Sequence, residues 1–281
     1  MYKFLVRPFL FSLDPEWVHY FSLNALRLIN KIPLSRWLLR KIYSYENPAL
    51  EKVLFGIKFK NPVGLAAGFD KNGKYINELS NLGFGFIEIG TITPKPQQGN
   101  PKKRLFRLQN DSAIINRLGI NNDGSYICAE RLKKNNSDVV IGGNIGKNTS
   151  TSNENADADY IQNFETLHHY VDYFVLNVSC PNVSNFTKLQ DVEFLKKLVP
   201  QLKKINSTKP KKKPILIKIS PDLNQDQLDE TIDLILSENL DGIIATNTTT
   251  TRENLKTNKI KIEKIGNGGL SGGPLKSKST D

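Results

Sequence analysis

The chain has 281 residues, 38% hydrophobic and 24% charged, which is ordinary for a folded soluble protein and long enough for one large α/β domain or two small ones, with a sizeable core. Its net charge of +11 admits an anionic membrane or nucleic acid as partner, but the densest basic cluster, KPKKKP at 209–214, runs straight into a strand-like segment with no RNA-binding aromatic signature beside it. It reads as a solvated loop, and no nucleic-acid partner is expected.

No apolar run approaches the roughly 18 residues of a spanning helix. The apolar N-terminus is broken by Arg7, Pro8, Asp14 and Pro15, so it lacks the uninterrupted apolar region of a secretory signal. Residues 1–45 nevertheless stand apart. Asp14 is placed to cap a helix whose first position is Pro15. Trp17, Val18, Phe21, Ala25, Leu28 and Ile29 then recur at helical spacing, and LSRWLLRKIYS repeats the pattern with Arg36, Arg40 and Lys41 between its apolar positions. Two amphipathic helices with aromatic faces and basic flanks either lie in a membrane interface or pack on their own domain.

From residue 53 strand-like runs alternate with helical patterns. The predicted strands are 61–69, 84–92, 139–146, 173–180, 214–220 and 241–248, with helical segments such as KYINELSNL and LNQDQLDETIDLILSENL between them. Near-continuous apolar strands separated by helices imply a parallel sheet covered on both faces. Six units in series favour an α/β, (β/α)8 barrel over an open sheet. Residues 93–135 are too rich for one helix and predict an inserted loop or hairpin before it. The domain boundaries expected are 1–45 for the helical extension and 46–281 for the barrel.

The strand ends read GFDKN, GTITP, NIGKN, NVSCPN, KISPD and TNTT. Packing alone would not place polar groups so uniformly there, and a barrel keeps its active site at this face. Lys71, Lys147 and Lys218 with the asparagines suggest a cavity for a planar anionic ligand. GNGGLSGGP at 266–274 offers a glycine-rich loop whose N–H groups can approach a phosphate or a flavin. Cys128 and Cys180 make no disulfide framework. Cys128, in SYICAERL, reads as a buried helix residue. His168 and His169 are adjacent and cannot share a helix face, and no metal-ligand spacing is visible.

These strings in this order, NPVGLAAGFDKNG, GFIEIGTITPKPQQGNPKKRLFRL, INRLGINN, NIGKN, NVSCPN, KISPDL, ATNTT and GGLSGGPLK, resemble dihydroorotate dehydrogenase, the FMN enzyme of pyrimidine synthesis, along essentially the whole chain. The N-terminal helices, with LDPEWVH, resemble the membrane-associated, quinone-reducing class, in which this extension forms the tunnel that brings quinone to the flavin. The resemblance implies FMN contacts at Ala67, Gly68, Phe69, Asp70, Lys71, Thr91, Asn144, Asn177, Lys218, Thr246 and Gly272. It implies contacts to dihydroorotate or orotate at Lys71, Asn116, Arg117, Leu118, Gly119, Ile120, Asn177, Asn182, Asn247 and Thr248. Arg107 matches an arginine near the quinone end, and Cys180 matches the base that removes the C5 proton. It also implies a peripheral enzyme on the cytoplasmic side of the cell membrane.

Three departures qualify the resemblance. The quinone class usually has serine where Cys180 stands, and the soluble class has cysteine. A thiol titrates near 8.5, far below a hydroxyl, so it is the easier base. This leaves open the same reaction with a soluble acceptor. Ile120 replaces a usual phenylalanine. The family continues past SGGPLKSKSTD by two strand–helix units, roughly 60 residues, whose glycine-rich ends hold the FMN phosphate. The expectation is a chain truncated at its C-terminus that alone is poorly soluble and carries little FMN. An inactive fragment that binds a membrane or a partner is the remaining alternative.

Overall fold

The structure is a computed structural model that describes residues 2–179 and 192–280. The N-terminal part is helical: a turn at Tyr2–Val6, then α1 (Arg7–Ser12), α2 (Pro15–Asn30) and α3 (Pro33–Tyr43). Asp14 caps α2 as expected, its carboxylate accepting the Trp17 N–H at 2.9 Å, with Pro15 at the first helical position. α2 buries Glu16, Val18 and Leu23, whereas α3 buries no residue.

A hairpin the sequence reading missed follows, β1 (Lys52–Leu54) and β2 (Ile57–Phe59). Its two-residue turn puts Phe55 and Gly56 at φ of 55° and 72°, the left-handed pair that suits the strand twist. Next come β3 (Gly64–Leu65), α4 (Ile76–Leu79), β4 (Phe86–Ile92), β5 (Leu105–Leu108), β6 (Ala113–Asn116) and α5 (Ser125–Leu132). Then β7 (Val140–Ile145), α6 (Ala156–Leu167) and β8 (Tyr173–Asn177) follow. The remaining elements are α7 (Val192–Ser207), β9 (Ile215–Lys218), α8 (Gln225–Ser237), β10 (Gly242–Ile244), α9 (Lys259–Ile265), β11 (Gly269–Gly272) and α10 (Lys276–Thr280).

The six predicted strands form one all-parallel sheet in the order β3-β4-β7-β8-β9-β10. This is the wall of a β/α barrel. The strands are shorter than the apolar runs that announced them. The first spans only Gly64–Leu65, because Gly68 turns the chain at φ of 101° and the Asp70 carboxylate then takes the N–H groups of Lys74 and Tyr75 at 2.9 and 2.7 Å.

Alternation along the strands sorts the side chains. Ile87, Ile89, Ile141, Ile145, Phe174, Leu176, Ile215 and Ile217 pack outward against the helices in the main core. Each such large side chain is worth about 1.5–3 kcal/mol when fully buried. Val140, Tyr173, Val175 and Leu216 face inward with Phe59 of the hairpin, which plugs the barrel floor. Further along the same inner face stand Glu88, Asn144, Asn177 and Lys218, all buried. The inner face therefore changes from apolar to polar toward the C-terminal ends of the strands.

Residues 93–135 do contain the expected hairpin, β5–β6, followed by the helix α5 that buries Cys128. GNGGLSGGP is a correction. Rather than a free loop it forms β11, which pairs antiparallel with β6 over Gly269–Gly272. Its glycines serve backbone packing: a Cβ on Gly268 would lie 2.7 Å from the Asn116 carbonyl, and one on Gly272, at φ of 101°, 2.4 Å from that of Ser112.

Candidate active site

A cavity of about 960 Å³ opens at the polar end of the inner face. It has three walls. The sheet ends contribute Ala67–Lys71, Thr91, Asn177, Lys218 and Thr246–Thr248. The β5–β6 hairpin and the segment after it contribute Arg107, Asn116 and Leu118–Asn121. Helix α2 contributes Glu16, His19, Tyr20, Leu23 and Leu26.

The floor is a continuous polar network. The Asn144 amide donates to the Glu88 carboxylate at 2.9 Å and accepts from the Thr91 hydroxyl at 2.5 Å. The Asn177 amide donates to the Thr91 oxygen at 2.6 Å. Asn247 donates to the side-chain oxygens of Asn177 and Ser179 at 3.2 and 3.0 Å, and the Ser179 hydroxyl donates to the Lys218 carbonyl at 2.8 Å. From outside the sheet, the buried Tyr160 hydroxyl donates to the Asn177 carbonyl at 2.7 Å and fixes that strand end. Burial pushes the Glu88 carboxyl up; the Lys218 charge, the Asn144 amide and the Ala67 N–H pull it back.

Sixteen residues named for the site from sequence line this cavity: Ala67, Gly68, Phe69, Asp70, Lys71, Thr91, Arg107, Asn116, Leu118, Gly119, Ile120, Asn177, Lys218, Thr246, Asn247 and Thr248. Four other residues named from sequence do not line it. Asn144 is fully buried and accepts from the hydroxyl of Thr91, which does line the cavity. Arg117 turns away from the cavity; its guanidinium donates to the carbonyls of Ile265 and Asn267 and lies over the Phe106 ring. Gly272 lies in β11 against the Ser112 backbone and does not line the cavity. Lys147 is buried elsewhere, its ammonium donating to the Thr151 carbonyl at 2.8 Å. Cys180 and Asn182 lie outside the described residues.

Sequence reasoning expected the N-terminal helices to form a tunnel to the flavin but named no α2 residue of the cavity wall. His19 packs edge-on to Phe69 with ring centroids 4.8 Å apart, and burial pushes its pKa down. Glu16 forms a buried bidentate pair with Arg104 at 2.7 and 3.0 Å. Arg107 joins the hairpin to the N-terminal helices, donating to the Leu13 carbonyl at 2.9 Å and lying over the Phe11 ring at 4.6 Å. Glu88 was also missed, although a lone carboxylate inside the apolar run FGFIEIGTI was a readable signal.

Two features show what the cavity accepts. Among the described residues the buried Thr248 hydroxyl has no hydrogen-bond partner, so it can pair with a polar group of a ligand. A Cβ built on Gly68 would meet nothing within 4 Å, so the backbone there is open to the cavity. A planar heterocycle with amide edges satisfies both, and the lining suits a flavin ring as well as a smaller anionic ring. Among the described residues no helix is long and apolar enough to cross a membrane.

The model of one family, described as "Dihydroorotate dehydrogenase", matches residues 49–281. A relative from Christiangramia forsetii, named dihydroorotate dehydrogenase (quinone), is 55% identical over all of this chain and 81% of its own length. One of the same name from Gloeobacter violaceus is 44% identical over 99% of this chain and 76% of its own. Among solved structures, DHODH from Eimeria tenella in complex with ferulenol superposes with a TM-score of 0.80 at 35% identity, over 94% of this chain and 74% of that one.

Proposed function

The chain belongs to the dihydroorotate dehydrogenase family, and from that premise we propose that it oxidises (S)-dihydroorotate to orotate for pyrimidine synthesis and passes the electrons to a membrane quinone. The observation that carries this reading is a single cavity with unlike walls: amides, hydroxyls and lysines on the sheet side, and a helix with exposed aromatic residues on the other. FMN is the cofactor proposed. Thr91, Asn177, Lys218 and Thr246 are placed to hold its ring, with Asn144 and Glu88 supporting them from behind. When bound it would supply the acceptor for the hydride that leaves C6.

The chain's own residues do the rest. Dihydroorotate is an anion with amide-like edges, so Asn116, Asn177 and Asn247 can pair with its donors and acceptors, and Thr248 has a hydroxyl to spare. The Lys71 ammonium supplies positive charge beside the carboxylate and where negative charge builds. Cys180 follows directly on the buried Val178 and Ser179; as thiolate it takes the C5 proton, which balances the hydride loss and leaves the ring double bond.

For the acceptor end we assign α2, α3 and Arg107. Trp17, Phe21, Leu34, Trp37 and Ile42 are exposed, between Arg36, Arg40 and Lys41, which suits a peripheral, cytoplasmic-side seat on a membrane. An apolar quinone then has a path along α2 past His19 and Phe69. The test is a pair of half-reactions. Dihydroorotate added without oxygen should bleach the protein's flavin absorbance, and a quinone added afterwards should restore it. A protein that takes up no flavin, or whose flavin dihydroorotate leaves coloured, refutes the proposal.

A further inference from the structure

Lys71 stands on the loop after β3, on the sheet side of the cavity, yet its ammonium donates at 2.9 Å to Asn121 Oδ1 on the opposite hairpin side. Tyr20, on α2, brings its hydroxyl up to the same Asn121 side chain. All three residues line the cavity, one from each of its walls. A second tie runs beside them. Arg104 grips Glu16, on the first turn of α2, and with the same guanidinium donates to the carbonyls of Gln98 and Asn100 at 2.8 Å each. The Asn100 N–H and side chain then hold the carbonyls of Leu118 and Arg117, the segment that leads into Asn121. Helix α2 is therefore tied through Glu16 and Arg104 to the segment that carries Asn121.

We propose that Asn121 is a positioning residue that aims the Lys71 ammonium at the substrate carboxylate, and that Tyr20 anchors Asn121 from α2. The helix of the acceptor side thus sets the geometry of the substrate side. A lysine on a four-carbon stem samples many rotamers, and a fixed acceptor oxygen removes most of that freedom before substrate arrives. The inference rests on the reading of Lys71 as a substrate cation.

The experiment is orotate titration of the flavin-loaded protein by calorimetry, with flavin reduction followed in parallel. Asn121→Leu should weaken orotate about tenfold, the worth of one hydrogen bond to a charged group. Asn121→Asp puts a carboxylate on the same ammonium and beside the anionic orotate, so it should weaken orotate at least as much as Asn121→Leu. Tyr20→Phe removes one hydroxyl at little risk to the fold and should cost about threefold. Combined with Lys71→Met, Asn121→Leu should add nothing further, because both act through the same ammonium. Wild-type affinity in both Asn121→Leu and Tyr20→Phe overturns the inference, and so does a full additive loss in the double variant. If Lys71→Met alone leaves orotate binding intact, the substrate reading of Lys71 falls first and this inference falls with it.

Discussion

The N-terminal helices and the inner face of the sheet invert the usual arrangement of a globular protein in opposite senses. Helices α2 and α3 leave Trp17, Phe21, Leu28, Leu34, Trp37 and Ile42 in solvent, at 45% exposure or more. The sheet interior buries Glu88, Asn144, Asn177 and Lys218, each at 8% exposure or less. Scattered exposed apolar residues are normal, but a run of them on two consecutive helices is not, and buried polar groups persist only where they are satisfied. The first region presents apolar surface to solvent; the second is organised through a continuous hydrogen-bond network at the cavity floor. One end of the cavity is specified by surface chemistry and the other by fixed geometry, and perturbing them should have different signatures.

The largest effect should come from the geometric end. Cys180→Ala should slow flavin reduction by dihydroorotate about 10²–10⁴-fold, the range of a general base, while orotate still binds. Rapid-mixing absorbance of the flavin reads the rate and calorimetry the binding. Reduction at the wild-type rate would remove Cys180 from the chemistry. Lys71→Ala comes next: it should lose about 10–100-fold in orotate affinity and slow reduction too, since a charge-assisted contact serves both. Normal values for both would take Lys71 out of the site.

The surface end should respond more gently and without touching that half-reaction. Replacing Trp37 and Leu38 of α3, 55% and 47% exposed, by serine should weaken binding to anionic lipid vesicles about tenfold or more, because each large apolar side chain is worth about 1.5–3 kcal/mol on burial. Reduction of flavin by dihydroorotate should stay at the wild-type rate. Vesicle binding equal to wild type in sedimentation would mean that these side chains meet something other than lipid.

How far sequence reached differs between the same two regions. The sheet was legible because alternating strands carry their own evidence: apolar on both faces at the start, polar on the inner face at the end, with motifs such as NVSC and KIS marking the change. What failed there was local geometry that leaves no period. The β1–β2 hairpin has three residues a strand, and the GGLSGG stretch, read as a loop, includes a strand paired with β6. Arg117 and Lys147 have the right chemistry for the site but face elsewhere, which residue type does not disclose. The helices were legible as helices, with Asp14 and Pro15 fixing the start. Their docking was not, because Glu16 and Arg104 are 88 positions apart and spacing along one helix says nothing of what meets it.

That docking contact gives the smallest and most diagnostic prediction. Hydrogen bonding to Arg104 holds the Glu16 carboxyl below the usual carboxylate range, against the opposing cost of burial. A depressed folded-state pKa means that the pair's contribution is fully present above the unfolded glutamate value of about 4.5 and is lost as pH falls through the folded value. Glu16→Gln keeps one oxygen for Arg104, which also retains its backbone carbonyl partners, so the variant should lose about 1–3 kcal/mol at pH 7 rather than the full cost of an orphaned buried charge. Urea unfolding at pH 7 should show that loss, and at a pH below the folded value the two proteins should converge, because wild type has by then lost the same charge. A gap that is equal at both pH values would mean that Glu16 holds α2 by shape alone, and that charge has no part in joining the exposed helices to the organised end of the cavity.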